Sequence, residues 1–386
     1  MRDAMMIYLD HAATSFHKPP EVAVAVFSAL QDGTGNSGRG AHGASLDASR
    51  VVHRTRNIIS RLFRLGDPAR VVFTTNATES LNIAVQGLLK PGDHCISTEL
   101  EHNSVLRPLF LMEERGVQLS LLPADAKGNI ATAAIAASIR KNTRAVVLSH
   151  ASNVLGNVRD IDQIAAVCRE NGILFILDAA QTAGLLPINM AQSGISAVCC
   201  SGHKSLLGPQ GTGVLCLAAG VQPAPLKVGG SGVDSFSRRM PDALPAALEA
   251  GTLNTHGLAG LCAACDYLEH YGVARIFAES SRLANKFIAE VQDIAEIIVY
   301  GDMAARVRTP VVALNIASCD SAEVADELFE RFGIATRAGA HCAPGVHRLY
   351  GTERQGMVRF SFSHFNTDCE VDQAISALKV MAEETR

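Results

Sequence analysis

The segment Ser201-Gly-His-Lys-Ser-Leu-Leu-Gly-Pro-Gln-Gly-Thr-Gly213 places a lysine just past an apolar strand and ahead of a glycine-rich loop. Desolvation there lowers a lysine's pKa, and the amine of Lys204 can then form a Schiff base with an aldehyde. Taken alone, the segment also fits a surface lysine beside an ordinary turn. Asp178 closes the run ILFILD and is followed by Ala-Ala-Gln181. A carboxylate at that edge can hold the protonated ring nitrogen of pyridoxal 5′-phosphate and keep the ring an electron sink. A strand-terminal aspartate also serves as a helix cap or a metal ligand. Asp178 and Lys204 lie about one strand–turn–strand unit apart, so they can converge on one cofactor.

Three further polar groups follow apolar strands. VVFTT runs into Asn76-Ala-Thr-Glu-Ser80, where a helix N-terminus with Thr78 offers a phosphate site or a plain cap. Glu101-His102-Asn103 opens another helix, and a neutral imidazole there can lie against a planar ring or simply cap the helix. Ser149-His-Ala-Ser-Asn-Val-Leu-Gly156 brings Asn153 to the same edge.

The elements that must position these groups alternate along the chain. Val71–Thr75, Ala145–Ser149, Ile173–Asp178 and Ser196–Ser201 read as buried strands, and Glu79–Lys90, Asn103–Arg115 and Ile161–Asn171 carry helical spacing. Near-continuous apolar strands between helices predict an α/β fold whose parallel sheet is covered on both faces. Ligands collect at the carboxyl ends of such strands. After about residue 258 long helical patterns take over, at Gly257–Tyr271 and Ala278–Glu290. Strands follow at Val311–Ile316 and Met357–Ser363. We therefore expect a large domain over residues 18–258 and a smaller α+β domain from residues 1–17 and 259–386.

Composition narrows the function classes. The 386 residues are 48% hydrophobic and 19% charged, which excludes a disordered chain. A net charge of −4 gives no electrostatic reason to bind nucleic acid or a membrane surface, and a chain without Trp is a poor platform for stacking bases. No apolar stretch is long enough to span a bilayer, and the N-terminus shows no signal-peptide core. The ten cysteines form no paired CxxC set, so no metal site is expected, and Cys262-Ala-Ala-Cys265 reads as two small hydrophobes on a core helix. All ten are expected to be reduced thiols in a cytoplasm. Cys342 stands apart, in the polar loop Arg337-Ala-Gly-Ala-His-Cys-Ala-Pro344.

The segments Tyr8-Leu-Asp-His-Ala-Ala-Thr14, NATESLN, EHNS, SHASNVLG, LDAAQTAG, SGHKSLLGPQGTG, EAGTLNT and Val358-Arg-Phe-Ser-Phe-Ser363 occur in that order. In them the chain resembles the cysteine desulfurases of the class V (fold-type I) pyridoxal-phosphate-dependent aminotransferase family, with selenocysteine lyases as close relatives. Its cysteine loop and Asn36-Ser-Gly-Arg-Gly-Ala-His42 look like those of the SufS-like group (type II).

The resemblance implies a large domain with a mainly parallel seven-stranded sheet between helices. It implies pyridoxal 5′-phosphate on Lys204, with Asp178 on the ring nitrogen, Gln181 on the phenolic oxygen and His102 stacked on the ring. Ala77, Thr78, Ser201 and His203 would form the phosphate cradle, joined by Thr252 across a homodimer interface. Arg359, Asn153, Asn36, Arg39 and His42 would face the substrate, and Cys342 would accept its sulfur as a persulfide. The activity implied is conversion of L-cysteine to L-alanine, with sulfur passed to an acceptor protein or thiol, for iron–sulfur cluster assembly or other products. Selenocysteine lyase, class V aminotransferase and non-catalytic scaffold readings stay open on sequence alone.

Overall fold

Runs of Val, Ile, Leu and Cys with few charges form strands that disappear between two layers of helices. The computed structural model describes residues 6–38, 40 and 42–385, so Arg39 lies outside the described residues. The chain opens with β1 (Ile7–Tyr8), α1 (Pro20–Gln31) and α2 (Gly43–Leu62). An alternating stretch follows: β2 (Val71–Thr74), α3 (Ala77–Leu88), β3 (His94–Thr98), α4 (Asn103–Glu114), β4 (Gln118–Leu122), α5 (Thr132–Ala137), β5 (Thr143–Ser149), α6 (Ile161–Glu170), β6 (Leu174–Asp178), α7 (Met190–Ser193), β7 (Ala197–Ser201) and β8 (Gly213–Leu217). The remainder is α8 (Thr255–Tyr271), α9 (Val273–Val291), β9 (Ile297–Tyr300), β10 (Val311–Ile316), α10 (Ser321–Phe332), β11 (Ile334–Ala335), α11 (Pro344–Tyr350), β12 (Val358–Ser361) and α12 (Asp368–Glu384).

β2 to β8 make one seven-stranded sheet in the order β2-β8-β7-β6-β5-β3-β4. The pairs among β3 to β7 are parallel, and only β8 runs against its neighbours β2 and β7. One core lies on each face. Leu81, Val85, Val105 and Leu109 of α3 and α4 fill one, while Ile59, Ile164 and Leu261 of α2, α6 and α8 fill the other. Register then sets the chemistry, because Ser149 pairs with Asp178 and Asp178 with Cys199, bringing three strand ends to one edge.

A second core gathers around the antiparallel sheet β12-β10-β9, packed by α9 and α12, with Ile7 and Leu9 of the N-terminal segment inside it. β1 joins this unit by parallel pairing with β11. Helix α8 packs against α1 and α2, and Leu258, Leu261, Cys265 and Leu268 belong to the first core. Helix α8, which contains the expected boundary at residue 258, thus packs with the first core along its length.

Seven cysteines, including Cys262 and Cys265, are buried; Cys319 is half-buried, and Cys342 and Cys369 are exposed. No helix among the described residues is long and apolar enough to cross a membrane.

Candidate active site

At the carboxyl edge of the large sheet lies a cavity of about 270 Å³, a size near the lower end for small-molecule sites. Ala77, Thr78, His102, Asn153, Asp178, Gln181, Ser201, His203 and Lys204 all line it. Lys204 follows β7 by three residues, and among the described residues its amino nitrogen makes no hydrogen bond or ion pair. Burial pushes that amine down to about 8, with Arg359 and Arg337 adding to the effect and Asp178 opposing it. Asp178 is buried, which raises its carboxyl above the ordinary value; the Ala180 N–H, donating at 2.9 Å, and the charge of Lys204 oppose that rise.

His102 caps α4, and its Nδ1 accepts the Ser104 N–H at 3.0 Å. The proton of the neutral ring therefore sits on Nε2. Burial first, then the charges of Lys204, Arg337 and Arg359, hold the ring down to about 4, so it stays neutral. His203 is also lowered to about 4 by burial. Gln181 donates from Nε2 to the Ala12 carbonyl at 3.1 Å.

One end of the cavity is the N-terminus of α3. Ala77 N–H donates to Ser201 Oγ at 3.1 Å, and the hydroxyls of Thr78 and Ser104 lie 2.8 Å apart. A Cβ on Gly213 would come within 2.6 Å of the Asn76 backbone, so only glycine lets β8 pass this turn.

The small unit reaches this edge through contacts with Asn153, although none of its described residues lines the cavity. Arg359, 1% exposed on β12, donates from Nη2 to Asp10 Oδ1 at 2.6 Å and from Nη1 to the Asn153 carbonyl at 3.1 Å. The Asn153 side chain in turn donates to the His341 carbonyl at 2.8 Å. His341 and Cys342 both adopt left-handed backbone, with φ of 49° and 56°. His341 is buried and its Nε2 lies 2.9 Å from the Met357 carbonyl, whereas Cys342 is exposed. The two side chains thus face different surroundings, and no hydrogen bond joins the imidazole to the thiol.

Other residues assigned from the resemblance lie elsewhere in this chain. Asn36 Nδ2 donates to Thr252 Oγ1 at 3.3 Å, and both line a separate hollow beside α2. His42 is an exposed residue capping α2. The structure also brings in groups the sequence reading gave no role. Asp10 pairs with Arg359, and the charge of Arg337 acts on His102 and Lys204. Glu101, fully buried, accepts from Ser149 N–H at 2.7 Å and pairs with Arg159 at 2.9 Å, tying the ends of β3 and β5 to the segment before α6. Charged residues inside otherwise apolar segments were the available signal.

The family model for aminotransferase class-V matches residues 7–374. The chain belongs to the aminotransferase class-V family. Among its class V relatives, a Methanothermobacter thermautotrophicus protein named "Probable cysteine desulfurase" is 33% identical over 97% of this chain and 94% of its own. A Yersinia pestis cysteine desulfurase is 30% identical over 97% of this chain and 93% of its own. Two solved structures superpose closely. The apo cysteine desulfurase of Thermococcus onnurineus gives a TM-score of 0.91 at 29% identity, covering 98% of this chain and 95% of that one. The Escherichia coli cysteine desulfurase CsdA, in an S-sulfonic acid form, gives 0.89 at 28% identity, covering 99% and 96%.

Proposed function

We propose that this class V protein is a cysteine desulfurase that converts L-cysteine to L-alanine and carries the sulfur away on Cys342. The observation behind this reading is the joining of two things at one sheet edge: a cavity holding Lys204 and Asp178, and a cysteine loop hung on its rim. The residues present fit pyridoxal 5′-phosphate. A desolvated, unpartnered amine, a buried carboxylate, a neutral imidazole and a helix N-terminus share a cavity of suitable size.

In this reading Lys204 holds the cofactor, Asp178 its ring nitrogen, Gln181 its phenolic oxygen and His102 its ring face. Ala77, Thr78, Ser201 and His203 hold the phosphate, and Thr252 reaches it from the partner subunit of a homodimer. The bound cofactor supplies an electron sink that makes the substrate's Cα–H acidic. Arg359, kept charged and oriented by Asp10, binds the substrate carboxylate with Asn153 beside it. Asn36 and His42, which do not line the cavity of their own chain, face a substrate site, and the resemblance gives Arg39 the same role.

The Lys204 amine, lowered to about 8, takes the Cα proton and returns a proton to carbon later. Cys342 attacks as its thiolate. A new S–S bond forms, the substrate's C–S bond breaks, and its electron pair stays with the carbon that becomes the methyl group of alanine. Cys342 is left as a persulfide for an acceptor thiol or carrier protein. With ten free cysteines, we assign this chemistry to the cytoplasm.

Mass spectrometry after brief exposure to L-cysteine tests the reading. Added sulfur on the Cys342 peptide is expected, with alanine released. Cys342→Ala should lower alanine formation at least about a hundredfold while the cofactor's visible absorption persists. An unmodified peptide and full activity in that variant would sink the proposal.

A further inference from the structure

Behind the Lys204 cavity lies a second one of about 40 Å³. Lys204 and Gln181 line both, so they form the partition between the two. The small chamber is lined by Ser280 of α9, by Val311 of β10, and by His11 and Ser361 from the two segments laced together beside it. His11 is 8% exposed and neither of its ring nitrogens has a hydrogen-bond partner; Ser280 is 1% exposed and its hydroxyl has none. A buried polar group left unpaired destabilises the fold. Proteins relieve that cost with ordered water where there is room.

Room is present. One water needs roughly 10–15 Å³ of such volume, so this chamber has room for about three. The chemistry matches as well. Burial, followed by the nearby His17, His364 and Lys18, holds His11 down to about 3; the Tyr8 carbonyl pulls the other way without meeting hydrogen-bond geometry. A neutral imidazole offers one donor and one acceptor, and a hydroxyl offers both.

We infer that this chamber is a buried water site, in which His11 and Ser280 hold two or three ordered waters against the back of Lys204 and Gln181. Such water solvates the lysine from behind while the front of the cavity stays free for cofactor. Among the fixed groups facing Lys204, Asp178 and Asp10 favour its protonated form, Arg359 and Arg337 disfavour it, and His102 and His203 are neutral. The water adds a polar, adjustable contribution to that set. The effect on bound cofactor rests on the reading of Lys204 given above.

High-resolution crystallography of the cofactor-loaded protein tests the site. Cofactor density on Lys204 in the same map tests the functional reading separately. Two or three waters bonded to His11 and Ser280 are expected; a dry chamber overturns the inference. The double variant His11→Leu with Ser280→Ala should lose the waters. Its cofactor absorption should then titrate about half a unit or more lower, because desolvation disfavours the protonated nitrogen. His11→Gln should keep both the waters and the midpoint. An unchanged midpoint after loss of the waters overturns the link to Lys204. If the double variant does not fold, Ser280→Ala alone, which removes a single atom, carries the same comparison.

Discussion

The backbone N–H of Asn103 donates to the carbonyl of Cys342 at 2.7 Å, tying the cysteine loop to the first turn of the helix that His102 caps. A group from the small unit thereby takes its position from the large one.

Gly345 tests that tie. It sits in α11, just after the loop, and a Cβ there would collide with the Glu99 carbonyl. Gly345→Ala should push the loop off the rim and destabilise the fold by about 1–3 kcal/mol. Urea unfolding measures the loss, and alanine formation should fall further than cofactor binding does.

The lowered Lys204 amine gives two pH dependences. Only the neutral amine captures an aldehyde, so uptake of pyridoxal phosphate by the cofactor-free protein should quicken as pH rises towards about 8 and level off above it. Stopped-flow absorbance follows this, and Lys204→Ala should show no covalent uptake. Folding stability moves in the same direction. Between about 8 and the ordinary lysine value of 10.5 the unfolded chain binds more protons at this site, so its contribution rises with pH across that window.

Asp10 is the counter-ion of a guanidinium that is 1% exposed. Asp10→Asn leaves Arg359 charged and buried without its partner, which should cost about 3 kcal/mol. If Arg359 receives the substrate carboxylate, KM should rise more than kcat falls. A variant with unchanged stability and unchanged KM would remove Asp10 from both roles.

Thr252 and Asn36 lie apart from the Lys204 cavity of their own chain, bonded to one another at 3.3 Å. If a partner subunit supplies Thr252, cofactor retention depends on protein concentration. Light scattering and absorbance on dilution should show dissociation and cofactor loss together, at higher concentration for Thr252→Ala. A monomer that keeps its full cofactor would contradict the shared site.

Much of this was legible in the sequence because the large sheet is buried on both faces. Strands such as β6 and β7 write themselves as apolar runs, and the polar residue that ends each marks the candidate functional edge, as at Asp178 and Ser201. The helical spacing at Gly257–Tyr271 was equally clear, but periodicity does not say which core an apolar stripe enters, so it did not reveal that α8 packs with α1 and α2. Asp10 escaped for a different reason. Its partner Arg359 is 349 positions away, and the parallel bridge from Asp10 to Ser361 brings them together. Asn103 was hidden because it acts through its backbone, which carries no residue-specific signal.

The carbonyls of His341 and Cys342 are each caught by an asparagine, one by a side chain and the other by a main-chain amide. The loop is therefore anchored on both sides of the thiol, and the sulfur atom moves mainly by turning about its own Cα–Cβ bond. If Cys342 receives the substrate sulfur, as proposed, delivery is short-range at both ends: a substrate has to present its sulfur within that small arc, and a receiving thiol has to come up to the protein surface to collect it.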